Sequence, residues 1–367
     1  MIQEKQNVAD LFQIAHPGMI AKKSYPRPFH FAVVGATGIV GQELLAILAE
    51  GGIPVASVKA IASENSAGDK VNFGDEELVV QALSEQVFDG VDVAFFGVSS
   101  ELAKKYIPIA AKKGCVSIDK SSAYRMQMDV PLVVADVNSE DVAMYKKHSV
   151  VASPNCTATP LVQVLSALNR AAKVKRVVVA SYQAVSGAGK AGLEELDKQT
   201  RDLFNMRDPE SEVFNNRIAF NVLPCIPAAG NFTEDGSTEE EQKVIDESRR
   251  ILKMPELRMA VTCARVPVFN GHCEAVNVEF DSELSVERAR EVLANAPGIV
   301  VIDDVNSLLF PTPADATGED YTLVGRIRRD NSVPHGISLW LTSDNLRTGA
   351  ALNAVRIAEV LCSTYLR

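Results

Sequence analysis

Paired cysteines, long apolar runs and an excess of positive charge are all missing from this 367-residue chain. Its six cysteines are scattered without a CxxC pair or a histidine spacing that suits zinc. Neither a disulfide frame nor a metal site is expected, and the thiols read as reduced. No run of about 18 apolar residues occurs, which excludes a membrane-spanning helix. The first residues lack the charged, apolar and small-residue blocks of a secretory leader. The formal net charge is -10, with acidic and basic residues interspersed. Neither a phosphate backbone nor an anionic membrane attracts such a surface, so nucleic acid and membrane are not expected partners. The expectation is a soluble, cytoplasmic protein.

What is present is ordinary globular composition, 47% hydrophobic and 23% charged, over a length that suits two domains. Residues 1–28, with Pro17, Pro26 and Pro28, read as a loosely ordered extension. The apolar run over 29–34 leads into Gly35-Ala36-Thr37-Gly38-Ile39-Val40-Gly41 and a helical pattern over 42–50. Strand, glycine turn and helix in that order suit a dinucleotide. The glycines let backbone approach a pyrophosphate, and the helix N-terminus offers it N–H donors and positive potential. The spacing is GxxGxxG, and such turns also open helices for steric reasons alone. A second strand, 55–62, ends at Ser63-Glu64-Asn65-Ser66, where ribose selectivity is set. Glu64 can bond a 2′-hydroxyl and repel a 2′-phosphate, favouring NAD, whereas Ser63, Asn65 and Ser66 can donate to that phosphate. Strands at 91–97 and 115–119, separated by a helix capped at Ser99-Ser100, predict a parallel, doubly wound sheet. Arg125 follows in a polar loop, where its planar fork suits a phosphate or carboxylate, or else a surface ion pair.

Ser153-Pro154-Asn155-Cys156-Thr157-Ala158-Thr159-Pro160 closes a short strand at 150–152 and opens a helical run. A cysteine in the first turn of a helix lies near unpaired N–H groups and the positive end of the macrodipole, and both favour its thiolate. Free cysteines are also common as small buried hydrophobes. A strand over 177–185 then leads through Gln183 to Gly187 and Gly189. The amide can hold a bound carbonyl or water, or serve only the turn, and the glycines admit close approach of a ligand. Glu240 and Lys243 are three apart on a predicted helix and so share a face, either inside a cleft or as a solvated pair. Arg265 and His272 flank a turn between extended runs, a predicted hairpin that would bring both to one site. Histidine has the ordinary pKa nearest working pH. His16, His30, His148 and His335 lack a comparable neighbourhood. A helix over 286–294, strands over 322–329 and 336–343, and a long C-terminal helix opening with Gly349, Ala350 and Ala351 complete the chain. No internal repeat or low-complexity segment appears.

The ordered motifs GATGIVG (35–41), SSAYR (121–125), PNCTATP (154–160), YQAVSGAG (182–189), TEEEQK (238–243), CARVPVFNGHCEAV (263–276) and SDNLRTGAALNAVRIAE (343–359) are distinctive. With them the chain resembles the aspartate-β-semialdehyde dehydrogenase family over essentially everything from residue 29 onward. The resemblance implies an α/β fold: a Rossmann-type doubly wound parallel sheet (29–155), an α+β catalytic and dimerisation domain (156–344), and a C-terminal helix (345–367) that returns to the first. It implies NADP-dependent interconversion of β-aspartyl phosphate and aspartate-β-semialdehyde plus phosphate, in lysine, threonine and methionine biosynthesis, by a homodimer or dimer of dimers. Cys156 matches the nucleophile, Asn155 its carbonyl-orienting neighbour, Gln183 the residue that positions the acyl-enzyme, and His272 the general acid/base. Arg265 and Glu240 match the groups that hold the substrate carboxylate and amine, and Arg125 and Lys243 those that hold phosphate. Cofactor contacts fall on Gly35, Thr37, Gly38, Ile39, Val40, Gly41, Ser63, Asn65, Ser66, Ser186, Gly187, Gly189 and Asn345. Many relatives carry an arginine where this chain has Asn65, which keeps NAD open beside NADP. Lys120 replaces a small polar residue, and Ala135-Asp136-Val137-Asn138 stands where relatives often read PEVN. Two other readings accompany this one: an N-acetyl-γ-glutamyl-phosphate reductase-like enzyme, and a catalytically silent nucleotide-binding paralogue.

Overall fold

A computed structural model of the chain describes residues 23–226 and 232–367; residues 1–22 of the expected extension lie outside them. Two compact units form, one from 23–156 with 349–367 and the other from 157–348. Both divisions fall later than the motifs placed them, at 156 rather than 155 and at 348 rather than 344. Cys156 therefore closes the first unit, and Asn345 belongs to the second.

In the first unit, β1 (Phe29–Val34) and β2 (Val55–Ala62) are followed by a separate antiparallel hairpin, β3 (Lys70–Phe73) and β4 (Glu76–Val79). Then come β5 (Gln81–Ala82), β6 (Val93–Phe96), β7 (Val116–Asp119) and β8 (Val150–Ala152). The sheet order is β5-β2-β1-β6-β7-β8, with every pairing parallel. This is the doubly wound order that the alternating pattern predicts, and the switch point lies where β1 separates β2 from β6. Every residue of β6, β7 and β8 is buried, as in a parallel sheet covered on both faces. Helices α1 (Ile39–Glu50) and α2 (Ser100–Lys112) follow β1 and β6, and Ser99 Oγ caps α2 by accepting from Leu102 N at 3.4 Å. The C-terminal helix, Leu352–Val360, returns to this unit and adds Leu352, Ala354, Val355 and Ile357 to the core around Phe31, Val33 and Phe95. Residues 23–28 also pack here. Arg27 reaches both oxygens of Asp92 at 2.8 Å.

The second unit holds α3 (Ala158–Ala171), β9 (Val174–Gln183), α4 (Gly189–Phe204), α5 (Glu239–Ile251), β10 (Arg258–Arg265) and β11 (His272–Phe280). It continues with α6 (Val286–Ala294), β12 (Ile299–Val301), β13 (Thr322–Asp330) and β14 (Gly336–Ser343). Its six-stranded sheet is mixed, in the order β10-β9-β11-β14-β13-β12. The predicted hairpin of Arg265 and His272 is not formed. β10 runs parallel to one side of β9 and β11 antiparallel to the other, so β9 separates them. The linking segment instead pairs with the chain leaving β9, through Val266 N to Gln183 O at 3.0 Å and Val185 N to Val268 O at 2.9 Å. Two extended runs and a turn look alike in sequence whether or not a third strand enters between them.

Along β9, Val177, Val179, Ser181 and Gln183 are buried, while Arg176, Val178 and Ala180 are half-exposed and Tyr182 is exposed. The buried side meets α3, α5 and α6 through Leu161, Leu165, Val244 and Leu293. Among the described residues no helix is long and apolar enough to cross a membrane.

The glycine turn is sterically closed. A Cβ at Gly41 would overlap the Gly35 carbonyl oxygen and come within 2.8 Å of Ala36 Cα. Gly41→Ala is therefore expected to destabilise the protein by roughly 1–3 kcal/mol. Urea unfolding would register this as a lower midpoint at unchanged slope; a parental midpoint would mean that the turn can relax.

Candidate active site

In the first unit, Pro154 favours an extended Ser153, and the chain turns only at Cys156 and Thr157. Cys156 thus precedes α3 by two positions rather than lying in its first helical turn. The residues before it are tightly held. Ser153 N donates to Asp119 O at 2.8 Å, and Ser153 Oγ accepts from Lys120 Nζ at 3.0 Å and Asn353 Nδ2 at 2.9 Å. Arg125, expected as an anion clamp or a surface ion pair, is buried; its Nε donates to Ser153 O at 3.0 Å and its Nη2 to Lys120 O at 2.6 Å. One of its donors thus braces the segment that carries Cys156, and another holds the backbone that follows β7. Asn155 is buried beside it. Gly349 packs so closely that a Cβ there would lie 2.9 Å from Cys156 O and 3.0 Å from Cys156 Cβ.

Most of the other cysteines differ from Cys156 in burial. Burial pushes the thiols of Cys115, Cys273 and Cys362 up to about 12, and that of Cys263 higher still. These four remain protonated at neutral pH. Cys156 and Cys225 are only half-buried.

At the glycine turn, Gly38 is the N-cap of α1, no side chain caps it, and the first turn carries no acidic residue. Gly35 and Ala36 N–H groups are tied to Ile61 O at 2.8 and 3.0 Å. Thr37, Ile39 and Val40 are half-buried beside the cap. An uncapped helix start without local negative charge fits the pyrophosphate of a dinucleotide. Ser63 and Asn65 are exposed and Ser66 half-buried, at a single 3₁₀ turn, Glu64–Ser66, after β2.

In the second unit the backbone of Ala184 gathers three predicted residues. Its N–H donates to His272 Nδ1 at 3.1 Å, and its carbonyl accepts from Arg265 Nη1 at 2.8 Å. Gln183, one residue earlier, is the register partner of Arg265 and donates from Nε2 to Glu240 Oε1 at 3.3 Å. A backbone N–H can only donate, so Nδ1 must be the acceptor, and the neutral ring carries its proton on Nε2. Burial, and then the nearby Arg265 charge, hold the His272 pKa well below its ordinary value. The result is a neutral imidazole that presents an N–H. Nε2 itself is buried with no hydrogen-bond partner among the described residues. Gly187 leaves room for this group: a Cβ there would lie 2.7 Å from Arg265 Nη1 and 3.3 Å from His272 Nε2.

Glu240 is buried at the start of α5, whose register is fixed by a capping box. Glu241 N donates to Thr238 Oγ1 at 3.2 Å, and Thr238 N to Glu241 Oε2 at 2.7 Å. Lys243 shares the helix but pairs with Glu239 at 2.8 Å, half-exposed. Ser186 and Asn345 form a second buried knot. Asn345 Oδ1 accepts from Gly271 N at 3.0 Å, its Nδ2 donates to Ser186 Oγ at 2.9 Å, and Ser186 Oγ donates to Asn270 Oδ1 at 3.0 Å. Gly189 opens α4 at φ +79°.

Known proteins resemble this chain over nearly its whole length. The family described as semialdehyde dehydrogenase, NAD binding domain, matches residues 30–145, and semialdehyde dehydrogenase, dimerisation domain, matches residues 165–348. The aspartate-semialdehyde dehydrogenase of Aquifex aeolicus is 45% identical over 335 residues, covering 91% of this chain and 98% of that protein. That of Rickettsia bellii is 44% identical over 340 residues, covering 93% and 99%. The chain belongs to the aspartate-semialdehyde dehydrogenase family. A crystal structure of aspartate semialdehyde dehydrogenase II from Vibrio cholerae superposes with a TM-score of 0.89 at 40% identity, covering 92% of this chain and 100% of that one. The same Vibrio enzyme has also been solved in complex with ASA.

Three features of this family member were not singled out in the sequence. The Ala184 peptide left no trace, because a backbone role is independent of residue type. The capping box was legible as Thr238-x-x-Glu241. Glu274 lies on β11 across from Ser181, fully buried, with neither carboxyl oxygen hydrogen-bonded among the described residues. Burial raises its pKa well above the ordinary 4.5. A raised native pKa means that stability is fully present below the unfolded value and is lost as pH rises toward the folded one. Glu274→Gln should therefore melt increasingly higher than the parental protein as pH is raised above about 4.5. Thermal unfolding of both proteins from pH 4 to 8 tests this, and a difference independent of pH would be the contrary result.

Proposed function

We propose that this chain is an aspartate-semialdehyde dehydrogenase that interconverts β-aspartyl phosphate and aspartate-β-semialdehyde plus phosphate with NADP, through a thioester on Cys156. The observation that carries the reading is the Ala184 backbone, which holds a neutral, proton-bearing His272 and a buried Arg265 beside the Gln183–Glu240 pair. One buried proton donor, one guanidinium and one carboxylate suit a developing alkoxide, an α-carboxylate and an α-amine.

In the reductive direction the Cys156 thiolate attacks the acyl phosphate carbonyl, the C–O bond to phosphate breaks, and a thioester remains. Asn155 orients that carbonyl and Gln183 positions the acyl group. The nicotinamide, when bound, supplies hydride to the thioester carbon; Gly35, Thr37, Gly38, Ile39, Val40 and Gly41, with Ser63, Asn65 and Ser66, would hold the nucleotide, and Ser186, Gly187, Gly189 and Asn345 its nicotinamide end. His272 holds the oxygen through its Nε2–H as the carbonyl becomes alkoxide. The hemithioacetal alkoxide then collapses to aldehyde and expels the thiolate, with the proton remaining on Nε2. Arg125 and Lys243 hold phosphate.

The chain acts as a homodimer in the cytoplasm on this reading. A pairing surface is supported by the face of the mixed sheet away from its helices, where Arg176, Val178, Ala180 and Tyr182 remain half-exposed or exposed.

Steady-state kinetics of semialdehyde oxidation with phosphate, comparing NADP with NAD, tests reaction, substrate and cofactor together. NADP is expected to give the higher kcat/KM; a preference for NAD would reassign the Ser63–Ser66 loop to a ribose hydroxyl. Cys156→Ala should lower kcat by about 10³-fold or more, and His272→Gln by about 10²-fold or more, with KM for nucleotide little changed. Near-parental turnover by Cys156→Ala would end the thioester mechanism.

A further inference from the structure

Lys120 turns its side chain into the segment that ends in Cys156. Nζ donates to Ser153 Oγ at 3.0 Å and to Pro154 O at 3.3 Å. Those atoms belong to residues three and two positions before the thiol. The lysine is itself anchored: its N–H donates to Phe96 O at 3.0 Å, and its carbonyl accepts from Arg125 Nη2 at 2.6 Å. Asp119 and Arg125 are the other charged groups of this cluster. Asp119 is engaged by Ser121, whose N–H and Oγ donate to its two oxygens at 2.9 and 3.0 Å. Arg125 braces the Ser153 carbonyl from Nε.

A lysine is not required merely to satisfy Ser153. Its Oγ already accepts from Asn353, its carbonyl from Arg125, and its N–H is bonded to Asp119 O. What only the ammonium adds is a positive charge on the Pro154 carbonyl. A cation on a carbonyl polarises that peptide and raises the positive potential along the adjoining turn, and potential of that sign favours a thiolate. Half-burial strengthens the effect, because the charge is less screened than on an open surface.

We infer that Lys120 is a positioning residue for the Cys156 nucleophile, fixing residues 153 and 154 and supplying positive potential to the turn. The inference rests on the reading of Cys156 as nucleophile given above.

The test uses the full chain with Lys120→Met and Lys120→Arg, and measures the rate of iodoacetamide alkylation of Cys156 against pH by mass spectrometry of its peptide, alongside kcat and KM. Lys120→Met should move the midpoint of the alkylation profile up by about one pH unit, the size of effect expected on losing one nearby cation. Its kcat should fall about 10-fold while KM for nucleotide holds. Lys120→Arg, which keeps the charge, should stay near the parental midpoint; an arginine variant that behaves like the methionine variant counts against the charge. A purely structural lysine would leave the midpoint in place, so a folded Lys120→Met with the parental profile overturns the inference. If Lys120→Met does not fold, Lys120→Gln, which keeps a donor without the charge, is read in the same way. Failure of both to fold likewise overturns it, in favour of a structural role. Alkylation needs no substrate, so the two readings separate: a parental chain without phosphate-dependent semialdehyde oxidation defeats the functional reading, whereas an active parental chain with an unmoved Lys120→Met midpoint defeats this inference alone.

Discussion

A single hydrogen bond from a peptide N–H to a ring nitrogen sets the chemistry of the second unit. Ala184 N can only donate, so His272 Nδ1 must stay unprotonated, and the ring's proton is confined to Nε2. Protonating Nδ1 would break this bond inside a buried site beside Arg265, which explains why the imidazolium is disfavoured there. The carbonyl of the same residue holds Arg265, so the proton donor and the guanidinium cannot drift independently. β9 makes this possible. Because it runs between β10 and β11, its C-terminal end delivers Gln183 and Ala184 to the ends of both neighbours at once.

The first unit solves a different problem, that of holding the proposed nucleophile on irregular backbone. Residues just past a strand end have no ladder to fix them, and a turn preceding a helix has unpaired backbone groups. Here Asp119 O, Arg125, Asn353 and Lys120 all converge on Ser153, so the segment is held almost as firmly as strand. Asn353 comes from the C-terminal helix more than 150 residues away in sequence, and Gly349 abuts Cys156 itself. The return of the C-terminal helix therefore does more than complete a core: it supplies two of the contacts around the cysteine.

Legibility in the sequence followed the range of the interaction. The glycine turn, the parallel alternation and the helix cap at Ser99 rest on local rules, and all three appear where the pattern puts them. The pairing of β10 with β9 rests on which strand enters a gap, a long-range choice that two extended runs and a turn do not encode. Cys156 fell between these cases. Its neighbourhood was evident from Pro154 and the following helix, but its position just outside the first turn depends on where the chain bends. Arg125 was identified as a donor to an oxyanion, and two of its donors in fact meet peptide carbonyls; the fork geometry suits both acceptors, so residue type alone does not separate them.

Two buried ionisable groups of β11 place opposite demands on the fold. His272 resists protonation, so it disfavours the native state below its ordinary pKa of 6.5, where the unfolded chain takes up the proton. Glu274, two residues on and facing the same side, resists ionisation, so it disfavours the native state above 4.5, where the unfolded chain gives up the proton. Below 4.5 only the histidine is costly, above 6.5 only the glutamate, and between them both are. No pH relieves the strand of both. A sequence optimised for stability alone would place an apolar residue at either position, since burying an ionisable group without a partner is unfavourable. On the proposed mechanism the cost at His272 is accounted for, because a partnered Nε2 could not meet a substrate oxygen. Glu274 shares its strand and its face, and among the described residues neither of its carboxyl oxygens has a hydrogen-bond partner, so local rules are broken there as well.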